Sequence, residues 1–446
     1  MKHKEFYRSL LLLVIPITIQ NFLASAVSSA DVFMISCIGQ DELSAVSLAN
    51  QFQFILNGIF FGISSGIVIL SSQYWGKKDT KAIQNIMGIA FRIAFCVCFV
   101  FAIGAIFMPS VLMSIYTDDI SLIRIGSTYL RCIGISYIFM SFSQVYHSTL
   151  RSMEQATVST IISSTALIIN ISLNAILIFG LFHMPKLGVV GVALATTISR
   201  GVELILCFIH IKWLKEFRFK FRNLFHRNKL LFVDFIKYST PALLNDIFWT
   251  LAFSTYSIIM GHLNSDVVAA NSVSTTIRDL CSIVCFSLSS GGSVLLGKEI
   301  GENRLKEAKS DGARLCHVTL LIGTITGIVL ILIRPLVFMF FDLSDRAYEY
   351  LNIMMYINAY YVIGQAINTL TIAGIFRAGG DSKFGLFCDI IVMWFISVPF
   401  GLISAFVFKW PPMVVYFILC LDEIWKLPIV YKRYKSYKWL KNITRD

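Results

Sequence analysis

From the N-terminus onward, apolar residues come in twelve long runs separated by short polar stretches. The runs lie at approximately 9–38, 45–75, 85–112, 121–149, 157–181, 187–211, 231–261, 267–296, 315–341, 347–375, 384–408 and 411–431. A helix needs roughly 20 apolar residues to cross a bilayer, so each run is long enough, and the longest imply tilt or extension beyond the lipid. In hydrocarbon every backbone N–H and C=O needs an internal partner, which makes the runs helices. The short alternating segments of a membrane β-barrel are absent. The predicted class is an all-α polytopic membrane protein with twelve transmembrane helices.

Composition narrows the class further. The chain has 446 residues, 56% hydrophobic and 14% charged. A soluble domain has about 45–50% apolar and about 25% charged residues, and so few charges could not cover so much apolar surface. The net charge of +12 does not point to nucleic acid, because the Lys and Arg residues form short clusters between apolar runs rather than one basic face. Ten cysteines are scattered without a CxxC pair and read as small core residues. Ala24-Ser25-Ala26 looks like a leader cleavage triplet, but the run continues to about Gly39, so a retained first span is expected.

The loops carry an orientation signal. One alternate set, from Lys2, Lys4 and Arg8 through Arg151, Arg377 and Lys383 to the tail beginning at Lys426, holds 29 of the 38 Lys and Arg residues. The other set carries Asp41, Glu42, Asp118, Asp119, Asp266, Asp342, Asp345 and Glu349. The positive-inside rule places both termini in the cytoplasm, and an even number of spans agrees. The expected location is the inner (plasma) membrane.

The chain also repeats itself. At an offset of 225, Pro16 meets Pro241, Ser64-Ser65-Gly66 meets Ser289-Ser290-Gly291, and Gly76 meets Gly301. At 226, Pro109 meets Pro335, Met113 meets Met339, and Arg151 meets Arg377. Six spans per half is an even number, so both halves enter the membrane in the same direction, as parallel repeats do. The expected organisation is an N-terminal lobe at 1–211, a basic cytoplasmic linker at 212–230 and a C-terminal lobe at 231–446. Two pseudo-symmetric six-helix bundles around a central cleft suit an alternating-access carrier working as a monomer.

Ionisable groups inside spans are costly and mark function by default. Asp31 lies in span 1, where its short side chain cannot snorkel out; it is a candidate for proton or cation coupling, with a structural hydrogen bond as the alternative. Asn170 and Asn174 in span 5 are four apart and share a helix face. Their amide oxygens suit a hard cation such as Na⁺ beside a carboxylate, and interhelical hydrogen bonding explains them equally well. Thr196 in span 6 is a weaker candidate, as is Thr197, because threonine bonds back within its own helix. Asp246 and Asp389 are secondary acids in spans 7 and 11. Arg200 and Glu203 form a local pair, Arg278 and Asp279 are expected to find partners on other helices, and Asp422, Glu423 and Lys426 read as structural. There is no Walker A motif, HExxH or His/Cys cluster, so the chain is not expected to be an enzyme or to carry a cofactor, and transport must draw on a gradient.

These features resemble one family along nearly the whole chain, the multidrug and toxic compound extrusion (MATE) transporters of the bacterial type. Its marks are Pro16 with Gln20-Asn21, Asp31 followed by IGQDELSAVSLA, SSGIVILSSQYWGKKD, LRSMEQATVS, Asn170-xxx-Asn174, GVVGVALATTIS, LSSGGSVLLGKEIGENR, FRAGGDSKFGLFCDIIVMWFISVPFG and DEIWKLP. The resemblance implies a twelve-helix exporter that exchanges Na⁺ or H⁺ for amphipathic, often cationic small molecules. It implies an N-lobe proton or cation site at Asp31 and Asn170. Asn174 departs from the family pattern, which often has Asp there, so protonation falls more on Asp31. In another branch a span-7 Glu contributes; here that place holds Trp249, with Asp246 one turn earlier. A lipid-linked oligosaccharide flippase of the same superfamily is the alternative; it would favour a cleft lined with Arg or Lys, yet only Arg92, Arg131, Arg200 and Arg278 lie well within spans.

Overall fold

The computed structural model describes residues 2–213, 228–340 and 343–445. Most of the basic linker and Asp342 lie outside the described residues. The described chain is helical throughout, in the order α1 (Lys2–Ser36), α2 (Gln40–Gly76), α3 (Thr80–Phe107), α4 (Ile120–Ser152), α5 (Ala156–Phe179), α6 (Gly188–Trp213), α7 (Lys229–Gly261), α8 (Ser265–Gly301), α9 (Leu305–Phe340), α10 (Asp345–Phe376), α11 (Ser382–Val407), α12 (Pro412–Leu419) and α13 (Asp422–Lys435). Ten of these are long and apolar enough to cross a bilayer. Serine-rich α4, carrying Arg124, Arg131 and Arg151, and the broken pair α12–α13 complete the twelve spans.

The helix starts follow local chemistry. Asp79 caps α3 by accepting from the Ala82 amide at 3.0 Å, and Asp119 caps α4 by accepting from Ser121 at 2.8 Å. Gly180, with φ +71°, ends α5 in the left-handed conformation that glycine adopts without strain.

Two departures from regular helix were not legible in the apolar runs. The run expected at 411–431 is two helices, broken at Cys420 and Leu421. Residues Thr369–Phe376, Ile390–Ser397 and Ile403–Val407 are wound as π-helix. Ser289, in the repeated Ser-Ser-Gly block of α8, donates to the Thr369 carbonyl at 3.0 Å, supplying a partner where α10 widens.

The residues form two compact units. One comprises Ile19–Ile236. The other comprises Lys237–Asp446 together with Met1–Thr18, so the start of α1, up to just past Pro16, packs with the second half. Leu13 and Val14 lie against Gly291 there, and Phe6 lies under the Arg314 guanidinium. All ten cysteines are free.

Candidate functional site

In the first unit, α5 and α6 run in close contact because Gly191 faces the Leu177 backbone; a side chain at 191 would meet the Leu177 carbonyl oxygen at 3.1 Å. That approach sets Thr196 on α6 beside Asn170 on α5, and the Asn170 amide donates to the Thr196 hydroxyl at 3.2 Å. One turn along α5, the Asn174 Nδ2 donates to Asn170 Oδ1 at 3.4 Å and to Asp31 Oδ1 at 2.7 Å. The four predicted residues Asp31, Asn170, Asn174 and Thr196 thus meet in one hydrogen-bonded string from three helices. Asn174 is fully buried, and its Oδ1 accepts no hydrogen bond. A carboxylate, two amide oxygens and a hydroxyl form a hard-oxygen set of the kind a small cation takes.

Asp31, Asn170 and Thr196 line a cavity of about 530 Å³ inside the first unit. Much of the wall is amide: Gln20 and Asn21 from α1, Asn50, Gln53 and Asn57 from α2, and Gln144 from α4. The Gln20 Oε1 is buried without a hydrogen bond. Sequence reasoning missed the α2 residues, although Asn50, Gln53 and Asn57 recur at three and four, a polar stripe on one helix face.

The cavity also holds Arg200 and Glu203. They form the expected i,i+3 pair at 2.8 Å, but Glu203 has a second partner: His147 Nε2 lies 3.0 Å from its other oxygen, and Ser159 Oγ lies 3.0 Å from His147 Nδ1. Glu203, His147 and Ser159 are all buried. A carboxylate out of water needs several partners to hold its charge; α4 and α6 each supply one, and Ser159 on α5 holds the far side of the His147 ring.

The secondary acids lie in the second unit. Asp246 pairs with Arg377 at 2.6 Å. Asp389 accepts from Asn245 Nδ2 at 2.5 Å, and Asn245 accepts from Arg377 at 2.9 Å. Lys426 Nζ lies 3.0 Å from Asp389, 3.3 Å from Glu423 and 3.6 Å from Asp422. Two basic residues counted among the loop charges, Arg377 and Lys426, are therefore buried and ion-paired. A charge near a helix end reads as topology in sequence because the face it presents is unknown there.

Arg278 and Asp279 pair with each other at 3.2 Å rather than with other helices. Asp279 is exposed, and the buried guanidinium lies over the rings of Phe253 and Tyr361. Those rings supply the π faces that shield the cation.

The family model MatE matches residues 16–176 and again 241–403, once in each half. The chain belongs to the MatE family. A probable multidrug resistance protein, YoeA of Bacillus subtilis, is 26% identical over 90% of this chain and 87% of its own. NorM of Bacillus cereus, also described as a probable multidrug resistance protein, is 24% identical over 92% and 90%. Among solved structures, the MATE transporter VcmN of Vibrio cholerae in its bent form superposes with a TM-score of 0.88 at 15% identity, covering 98% of this chain and 97% of that one. This MatE protein is a multi-pass membrane transporter with the twelve-helix fold of that family.

Proposed function

We propose that this MatE protein is a multidrug efflux antiporter, exporting amphipathic and often cationic compounds in exchange for Na⁺ or H⁺ by alternating access. The observation that carries the reading is Asp31, a carboxylate within a membrane helix, held by Asn174 at the wall of a polar cavity of about 530 Å³. An intramembrane acid in a water-accessible pocket is where a transported ion exchanges. The names of the relatives, multidrug resistance proteins, support the substrate class.

In this mechanism the coupling ion is a substrate. It binds at Asp31 with Asn170, Asn174 and Thr196, and bends or repacks α1 near Pro16. The ion can drive the transition only to the extent that it binds one conformation more tightly than the other. No residue is assigned to the drug. The protein acts as a monomer in the plasma membrane with both termini cytoplasmic, as its basic loops favour.

The flippase reading has no support in the first-half cavity. Among the described residues, its lining holds one Lys or Arg, Arg200, and that side chain is paired with Glu203. Proteoliposomes loaded with a fluorescent organic cation test the proposal. Export is expected under an inward Na⁺ or H⁺ gradient applied singly, and export under neither would reject antiport.

A further inference from the structure

The second half departs from the first where the repeat aligns their cavity walls. At an offset of 225, Ser28 corresponds to Phe253, Asp31 to Tyr256, Asn50 to Thr275 and Gln53 to Arg278. The four first-half residues line the cavity of about 530 Å³. Their four counterparts line a cavity of about 30 Å³ inside the second unit. At these positions a phenol has replaced the carboxylate, and a guanidinium has replaced an amide. The aligned second-half wall therefore presents a base where the first presents an acid.

Arg278 is buried within its span, where an ionisable group is costly and marks function by default. Its guanidinium carbon lies 5.3 Å from the Phe253 ring centroid and 5.5 Å from that of Tyr361. Such contacts shield the faces of the cation and leave its edge, where the five N–H donors lie. Among the described residues its one acceptor is Asp279 Oδ1, which takes Nε and Nη2, each at 3.2 Å. Consecutive residues do not face each other on a helix, and the Asp279 side chain is 66% exposed. Its hold on the guanidinium is screened by solvent. Nη1 and the second Nη2 hydrogen remain for an acceptor in the cavity that Arg278 lines.

The wall behind this edge is fixed. Tyr416 donates to Asn358 Oδ1 at 3.0 Å, and Asn358 donates to Ser274 at 2.6 Å, which ties α12, α10 and α8 together. The side between α7 and α8 is open by comparison. Ser257 is exposed there, and Asn271 and Thr275 are half-buried. Along α7, Trp249 and Phe253 are also half-buried, with ring centroids 4.4 Å apart. They leave aromatic surface close to the guanidinium.

The size of the cavity selects among anions. One water needs about 10–15 Å³ of such space, so the cavity takes about two oxygens. A carboxylate presents two oxygens in one plane, at the spacing of the guanidinium fork. A phosphate, with three free oxygens, is too large. We propose that Arg278 anchors the carboxylate of an aromatic substrate, with the rest of that molecule lying between α7 and α8 against Phe253 and Trp249. The site names aromatic carboxylates as a substrate class, and its role in transport rests on the export reading.

Fluorescence anisotropy of anthracenecarboxylate, titrated with the full-length protein in lipid nanodiscs and corrected with empty discs, tests the site without an ion gradient. Saturable binding is expected, about tenfold tighter than that of the neutral methyl ester. Arg278→Gln is expected to remove the difference between acid and ester. Arg278→Lys, which keeps the charge and loses the fork, should fall between. Asp279→Asn removes the competing carboxylate and is expected to tighten binding of the acid, a gain that a structural role of Arg278 does not produce. This exposed position also serves should variants at 278 not fold. Acid binding no greater than to empty discs, equal affinity for acid and ester, or an acid affinity unmoved in Asp279→Asn would overturn the site. Export of the fluorescent cation under neither gradient would reject antiport and leave the binding result standing.

Discussion

The Asn174 amide donates to the Asp31 carboxylate across 2.7 Å, although 143 residues separate them. This contact ties α1 to α5 and leaves the carboxylate one strong partner inside the bilayer. Replacing Asp31 with Asn keeps the shape and removes the charge and the site for a proton. Asp31→Asn is expected to fold and to bind substrate while losing ion-driven exchange, by two orders of magnitude or about 2.7 kcal/mol. Export by reconstituted protein, scored with size-exclusion profile as the folding check, decides it. Wild-type exchange by the variant would reject Asp31 as the coupling acid.

Asn174→Asp places a second carboxyl at that contact. Two like charges at hydrogen-bonding distance are relieved by one shared proton or one cation. The variant is expected to reach half-maximal export at a coupling-ion concentration about tenfold lower than wild type, equivalent to about 1.4 kcal/mol. Titrating Na⁺ at fixed pH, and pH without Na⁺, shows which ion gains. Identical curves for both ions would mean that the contact is structural only.

Glu203→Ala leaves Arg200 and His147 without their shared acid. Removing one member of a buried charge network costs about 3–5 kcal/mol. A clear fall in melting temperature in detergent is therefore expected. Asp279→Ala is the contrast: its carboxylate is exposed and screened by solvent, and the buried Arg278 guanidinium keeps the Phe253 and Tyr361 rings beside it, so a smaller fall is expected. Equal melting temperatures for the two variants would contradict this account.

Gly327 on α9 faces the backbone of α10, where an added methyl group would collide with the Ala359 carbonyl oxygen. Gly327→Ala must push the helices apart, at about 1–3 kcal/mol. Gly58→Ala adds its methyl group to open space and is expected to leave the melting temperature unchanged. A neutral Gly327→Ala would show that the two helices separate without cost.

Much of this protein was legible in its sequence. Long apolar runs need only local composition to be read, because any helix in hydrocarbon must satisfy its own backbone. The offset of 225 to 226 revealed the repeat, and Asp31 stood out because a carboxylate within an apolar run has no cheap explanation. The break at Cys420 and the widened turns of α10 and α11 were hidden, since hydropathy does not record which carbonyl finds a partner. The amide stripe of α2 was visible at helical spacing, but its importance depended on the cavity it faces.

Partners were decided only in three dimensions. Lys426 counts as a cytoplasmic charge in the sequence and sits among three carboxylates in the structure. His147 carries no signal in its own segment, yet it bridges Ser159 and Glu203. The physical reason is one of range. Whether a segment enters the membrane is set by the summed transfer energies of consecutive residues, which the sequence alone determines. Which acid meets which base depends on the rotation and close approach of helices far apart in the chain, and those follow from the packing of every side chain between them.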